Sequence, residues 1–173
     1  NCPQCVIMFY AVNLVGAIAN MIHPLSSENE IMFYLNDSNS VAAITLDQFY
    51  YKFAAIREKV RIDTLIIASI ADALAQPLKT GYLLTEGRKI RKIQKDAPVL
   101  RWKDFMRMGK QYHWKYRADK KGSDAAVILY SGGTTGVTKG ILLSNLNFNA
   151  LAAQIIATNP MFRPGDTMLA VMP

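Results

Sequence analysis

The chain has 173 residues, 51% of them apolar and 19% charged, which suits one globular domain with a sizeable core and excludes a disordered chain. Its two cysteines exclude a disulfide-built scaffold and fit a reduced, cytoplasmic protein. The net charge of +7 is concentrated in residues 79–121, where 14 Lys or Arg face 4 Asp or Glu, leaving the remainder at −3. Such a block serves a nucleic acid, an anionic membrane, an anionic substrate, or only a solvated surface.

In chain order, Cys2-Pro3-Gln4-Cys5 has the spacing of a redox pair ahead of a helix, of half a metal site, or of two free thiols at a helix start. The two histidines, His23 and His113, stand in no ligand spacing with it. Asn1 is the expected cap and Pro3 suits the first turn of a helix running over 6–21 and stopping before Pro24. Residues 6–22 are the most apolar stretch, but Asn13, Gly16 and Asn20 interrupt them and they fall short of a span. They predict a buried helix, and no cationic start or cleavage site marks a signal peptide.

Ser27 and Glu30 have capping-box spacing, and Ile31, Phe33, Tyr34 and Leu35 give the following helix an apolar face until Asn36-Asp37-Ser38-Asn39 ends it. Residues 41–46 read as a strand and 47–60 as a helix, with Phe49, Phe53, Ile56 and Val60 at three- and four-residue steps. A second buried strand at 64–68 completes a βαβ unit, which implies a parallel sheet. Residues from about 71 to 121 form an excursion carrying the basic block, punctuated by Gly81, Gly87 and Pro98, with a short helix ending near Gly109. A strand over 125–130 then leads into a glycine-rich loop, residues 141–143, a helix over 145–158 and a last strand over 167–172. The fold class is therefore α/β, a mostly parallel sheet with helices on both faces, divided into a βαβ part (1–70), the basic excursion (71–122) and the strand–loop–helix–strand part (123–173).

The loop is Ser131-Gly132-Gly133-Thr134-Thr135-Gly136-Val137-Thr138-Lys139-Gly140. Its glycines let backbone N–H groups turn inward onto anionic oxygens. Ser131, Thr134, Thr135 and Thr138 add hydroxyl donors, and Lys139 a full positive charge. A Walker loop ends in Gly-Lys-Ser/Thr, whereas Lys139 lies between Thr138 and Gly140. Dinucleotide and kinase loops need Gly-x-Gly, which the segment lacks. A plain small-residue turn would not need ten residues with four hydroxyls.

This loop resembles that of the adenylate-forming (AMP-binding) superfamily, Thr-Ser-Gly-Ser/Thr-Thr-Gly-x-Pro-Lys-Gly. It departs at Gly132 and Thr138, with Ser131 a mild replacement for Thr. The Tyr-x-Gly-Gly-Thr-Thr-Gly form, Tyr130 to Gly136, is similar to that of long-chain fatty-acid–CoA ligases. Gly16-Ala17, His23-Pro24, Glu30, Leu35, Asp37-Ser38 and residues 143–147 also have counterparts, although Asn145 stands where His is usual.

The resemblance implies an acyl-CoA synthetase acting on ATP, a fatty acid and coenzyme A, by way of an acyl-adenylate. Residues 131–140 would bind the ATP phosphates, and Ser131 could touch a Mg2+ that bridges them. Other acids, aryl or amino, are activated by other members. The segments for the ribose, the hinge and the catalytic lysine have no counterpart here. The resemblance thus implies a fragment of the large N-terminal domain, carrying no certain catalytic residue and inactive alone. No nucleic-acid motif is present and no nucleic-acid partner is expected. Residues 79–121, with Trp102 and Trp114, could rest on the inner face of a membrane. A non-catalytic module binding lipid or nucleic acid through the same block is the alternative.

Overall fold

In the computed structural model, which describes residues 2–112, 116–131 and 138–167, the strands form two three-stranded sheets. Helix α1 (Pro3–Leu14) leads to β1 (Ala19–Met21), α2 (Glu28–Asp37), β2 (Ala42–Leu46), α3 (Tyr50–Ile56) and β3 (Thr64–Ala68). Then come α4 (Leu78–Leu84), β4 (Leu100–Arg101), α5 (Trp102–Gly109), β5 (Ala125–Tyr130), β6 (Gly140–Ser144) and α6 (Asn145–Thr158). One sheet has the order β2-β3-β4 and is parallel throughout. The other has the order β1-β5-β6, parallel between β1 and β5 and antiparallel between β5 and β6. The predicted cap at Asn1 and the last strand beyond Thr167 lie outside the described residues.

The period-two alternation of β3 sorts its side chains onto two helical layers. Leu65 and Ile67 join Ile31 and Leu35 of α2, Phe53 and Ile56 of α3, and Ile62 in one core cluster. Ile66 and Ala68 point the other way, onto Trp102 of α5, with Phe105 and Met8 of α1 packed alongside. Helices therefore cover both faces of this sheet, and each fully buried Ile or Leu contributes about 1.5–3 kcal/mol. The capping box of α2 forms as predicted: the Ser27 N–H donates to Glu30 Oε2 at 2.7 Å, and the Glu30 N–H donates to Ser27 Oγ at 3.3 Å. That backbone N–H, then the Ser27 hydroxyl, holds the Glu30 carboxyl below the usual carboxylate range. The predicted helix over 47–60 is α3 with a tighter 3₁₀ turn at each end.

The helix predicted over 6–21 is shorter. It stops at Leu14, and Ala19–Met21 is a strand paired with β5, Ala19 opposite Val127 and Met21 opposite Leu129. The reason is Gly16, which adopts φ +83°. The Gly16 N–H reaches the Asn13 carbonyl at 3.1 Å and the Ala17 N–H reaches Val12 at 3.0 Å, the two bonds of a glycine-terminated helix end. At the other end of α1 the cap position is held by Cys2, whose side chain makes no cap bond. The run of apolar residues hid the stop.

An added Cβ at Gly16 would also meet Ala118 Cβ at 2.7 Å, where the Ala118 N–H donates to the Leu14 carbonyl at 2.8 Å. Gly16→Ala is therefore expected to lower the stability of the chain by at least about 1–2 kcal/mol. Urea unfolding followed by tryptophan fluorescence checks this, and an unchanged midpoint would contradict it.

Candidate functional site

The loop grows from the centre of its sheet. Ala126 and Val127 of β5 are fully buried, and Tyr130, at the end of the strand, pairs with Gly140 of β6. One step further the Ser131 N–H donates to the Lys139 carbonyl at 3.0 Å. Ser131 and Lys139 thus face each other at the mouth of an antiparallel hairpin, at the carboxyl end of the parallel pair β1 and β5, where α/β sheets hold ligands. Lys139 is exposed, while Ser131 and Thr138 are half-buried. Gly132, Gly133, Thr134, Thr135, Gly136 and Val137 lie outside the described residues.

Because the chain returns as β6, the N-terminus of α6 sits five residues beyond the loop, about 17 Å away along a strand. That terminus is already satisfied: the Asn147 N–H donates to Ser144 Oγ at 3.3 Å, and the Ser144 N–H donates to Asn147 Oδ1 at 2.9 Å. The similarity over residues 143–147 is therefore carried here by a helix cap. Asn145, in the place of the usual His, points to α1, its Nδ2 3.5 Å from Asn13 Oδ1. The helix dipole is therefore not aimed at the loop.

The mouth is anchored to α2. The Tyr130 hydroxyl donates to Asp37 Oδ2 at 2.8 Å and lies 3.3 Å from the Tyr34 carbonyl; with one proton to give, the shorter, charge-assisted bond takes it. The ring stacks on Tyr34 at 4.1 Å between centroids and meets Phe33 edge-on at 6.3 Å. Burial first, then the bond to Asp37 and its charge, pushes the Tyr130 hydroxyl up to about 12. Asp37 ends α2 with no basic residue in the last turn, and a carboxylate there opposes the helix dipole by about 0.3–1 kcal/mol. Its bond to Tyr130 is what that position gains.

Other predicted features do not converge on the loop. Cys2 and Cys5 are free thiols, and burial, with the nearby Cys2, pushes the Cys5 thiol up, away from the reactive thiolate. A cavity of about 530 Å³ lined by Asp47, Tyr51, Ile70, Tyr82 and Arg91 opens beyond the ends of β2 and β3, on the other sheet. Among the described residues no group of three His, Cys, Asp or Glu could hold a metal. Among the described residues, the Ser131 hydroxyl, 3.4 Å from the Lys139 carbonyl, is the group that would touch a magnesium ion accompanying the phosphates. No helix among the described residues is long and apolar enough to cross a membrane.

A profile of the AMP-binding enzyme family matches residues 1–173. The chain belongs to that family. The long-chain-fatty-acid–CoA ligase of Bacillus subtilis (strain 168) is 32% identical over 151 residues, covering 87% of this chain and 27% of the relative. Among solved structures, the anthranilate CoA ligase AuaEII in complex with anthranoyl-AMP superposes with a TM-score of 0.67 at 22% identity, over 90% of this chain and 25% of that one. A long-chain-fatty-acid–CoA ligase from Archaeoglobus fulgidus gives 0.63 at 21% identity, over 91% and 26%. These superpositions share the α/β arrangement described above. The chain spans roughly a quarter of the length of each of these relatives.

Sequence reasoning placed Tyr130 and Asp37 in separate family-like segments but missed them as partners because 93 residues separate them; a further signal was an acidic residue where a helix end disfavours it. The raised Tyr130 hydroxyl gives this chain a pH signature. A group whose protonated form is favoured by folding stabilises fully below its unfolded value, about 10 for tyrosine. That contribution is lost as pH rises through about 12. Stability measured by denaturant between pH 9 and 12 is expected to fall more steeply for the native chain than for Tyr130→Phe. Parallel curves would contradict the assignment.

Proposed function

We propose that this chain supplies the ATP-phosphate loop of an AMP-forming acyl-CoA synthetase. In the reaction a carboxylate oxygen attacks the α-phosphorus of ATP, the bond to the bridging oxygen breaks, and pyrophosphate leaves with that electron pair. The thiolate of coenzyme A then adds to the acyl carbon of the adenylate, and AMP departs. The nucleophile of the first step is already ionised, so the step needs charge neutralisation on the leaving group more than a base. Backbone N–H groups of Gly132, Gly133, Thr134, Thr135 and Gly136, the hydroxyls of Ser131, Thr134, Thr135 and Thr138, and the Lys139 ammonium take that role, with Val137 and Gly140 the remaining members of the segment. Magnesium, when bound with the nucleotide, offsets charge on the phosphate oxygens. What supports this reading most directly is the Ser131 N–H bond to the Lys139 carbonyl, which puts a hydroxyl and a cation at one loop mouth.

A long-chain fatty acid is the acid we favour, on the name of the Bacillus subtilis relative. An aryl acid is the second reading, favoured by the superposition on an anthranilate ligase. The basic segment exposes Met106, Met108 and Tyr112 among its cations, which supports peripheral contact with an anionic membrane over a purely solvated face.

In the full-length protein Lys139→Ala is expected to raise the KM for ATP about ten- to a hundredfold, the worth of a charge-assisted bond, and to leave the KM for the acid unchanged. The 173-residue chain alone is expected to release no pyrophosphate from ATP and a fatty acid. An unchanged KM for ATP, or pyrophosphate from the chain alone, would overturn the reading.

A further inference from the structure

We infer that Tyr130 and Asp37 are positioning residues for nucleotide binding, holding the mouth of the loop in its binding geometry through the hydroxyl–carboxylate bond between them. The inference rests on the phosphate-loop reading and adds to it two residues outside the loop.

Tyr130 adjoins Ser131 in the chain and pairs with Gly140 across the hairpin. Its side chain therefore fixes the rung on which both ends of the loop stand. The ring lies between two surfaces, stacked on Tyr34 at 4.1 Å and close over Gly140, where an added Cβ would approach Tyr130 Cε1 to 3.2 Å. Apolar packing alone would be met as well by Phe. Only the hydroxyl reaches Asp37, at 2.8 Å, and this bond sets how far the ring can tip against Gly140. Asp37 in turn sits where a helix end disfavours a carboxylate, in a last turn without a cation. Helix stability does not account for it, whereas the bond to Tyr130 does. The clamp runs from α2 through Tyr130 to the rung, and from the rung to Ser131 and Lys139, whose backbones are joined at 3.0 Å. A loop that must present several N–H groups to one triphosphate gains affinity from a fixed base, since less ordering is left to binding.

The test measures KM for ATP, KM for the carboxylic acid and the thermal midpoint in the full-length protein, for five variants. Tyr130→Phe and Asp37→Ala are each expected to raise the KM for ATP about five- to tenfold, less than the full worth of a hydrogen bond to a charged group because neither residue touches the nucleotide, and to leave the KM for the acid within twofold. Asp37→Asn, which keeps an acceptor oxygen, is expected to recover most of the loss seen with Asp37→Ala. The combined Tyr130→Phe, Asp37→Ala variant is expected to be no worse than either single change, as for two halves of one interaction.

Lys139→Ala separates the two levels of the claim. If it raises the KM for ATP while Tyr130→Phe and Asp37→Ala lower only the thermal midpoint, the clamp is structural and this inference fails, with the phosphate-loop reading intact. If none of the variants moves the KM for ATP, both fall. Should Tyr130→Phe not fold, the contrast between Asp37→Asn and Asp37→Ala decides, and equal KM values for ATP in those two would overturn the inference.

Discussion

The carbonyl of Tyr34, near the end of α2, is where the two sheets of this chain are tied together. It accepts from the Ser38 N–H at 3.1 Å and the Ser38 hydroxyl at 2.7 Å. It also receives Asn20 Nδ2 from β1 at 3.2 Å and lies 3.3 Å from the Tyr130 hydroxyl of β5. Asn20 reaches Ser38 Oγ and Ser40 Oγ as well, at 2.7 and 3.2 Å. Residues 38–40 lead directly into β2 of the other sheet. Individually such bonds contribute about 0.5–1.5 kcal/mol. Their larger effect is geometric, because they set where β1 and β5, and hence the loop, stand relative to the core on β3.

The turn that makes this junction possible is itself a helix end of defined form. Ser38 caps α2, Asn39 adopts φ +49°, and the Ser40 N–H returns to the Leu35 carbonyl at 2.9 Å. Asparagine tolerates that left-handed conformation better than most residues. The same bonding pattern closes α1 at Gly16, so both helices that flank β1 stop by the same device. In one case the stop was legible, since Asn36-Asp37-Ser38-Asn39 is a polar run. In the other it was buried in an apolar stretch, where a three-residue strand leaves no period-two signal.

The difference between what could and could not be read follows the range of the interaction. Capping at Ser27 and Glu30 and the βαβ unit are local patterns, and each sits where the residues placed it. The pairing of β4 with β3 rests on two residues, Leu100 and Arg101, and no local pattern announces so short a strand. Residues 143–147 were matched as part of a family pattern, but only the structure gives their physical reason, a capping box that holds α6, whose residues include none that are buried. Tyr130 and Asp37 belong to the same class of long-range fact, since nothing in either segment points to the other.

On the phosphate-loop proposal, this arrangement also says what kind of anion site the loop would be. In Walker and dinucleotide folds the loop opens directly onto a helix, and the dipole supplies part of the positive field. Here the loop closes on itself as a hairpin, and the nearest following helix begins at the far end of β6 with its N–H groups already capped. Without that field, affinity for phosphate would depend more on how well the loop's own donors are aligned, because N–H···O bonds weaken steeply as they bend. A rigid base would then be a requirement of the proposed site. That requirement would explain why an aromatic stack, a glycine fitted beneath it and a carboxylate at an unfavourable helix end all meet on the one residue that precedes Ser131.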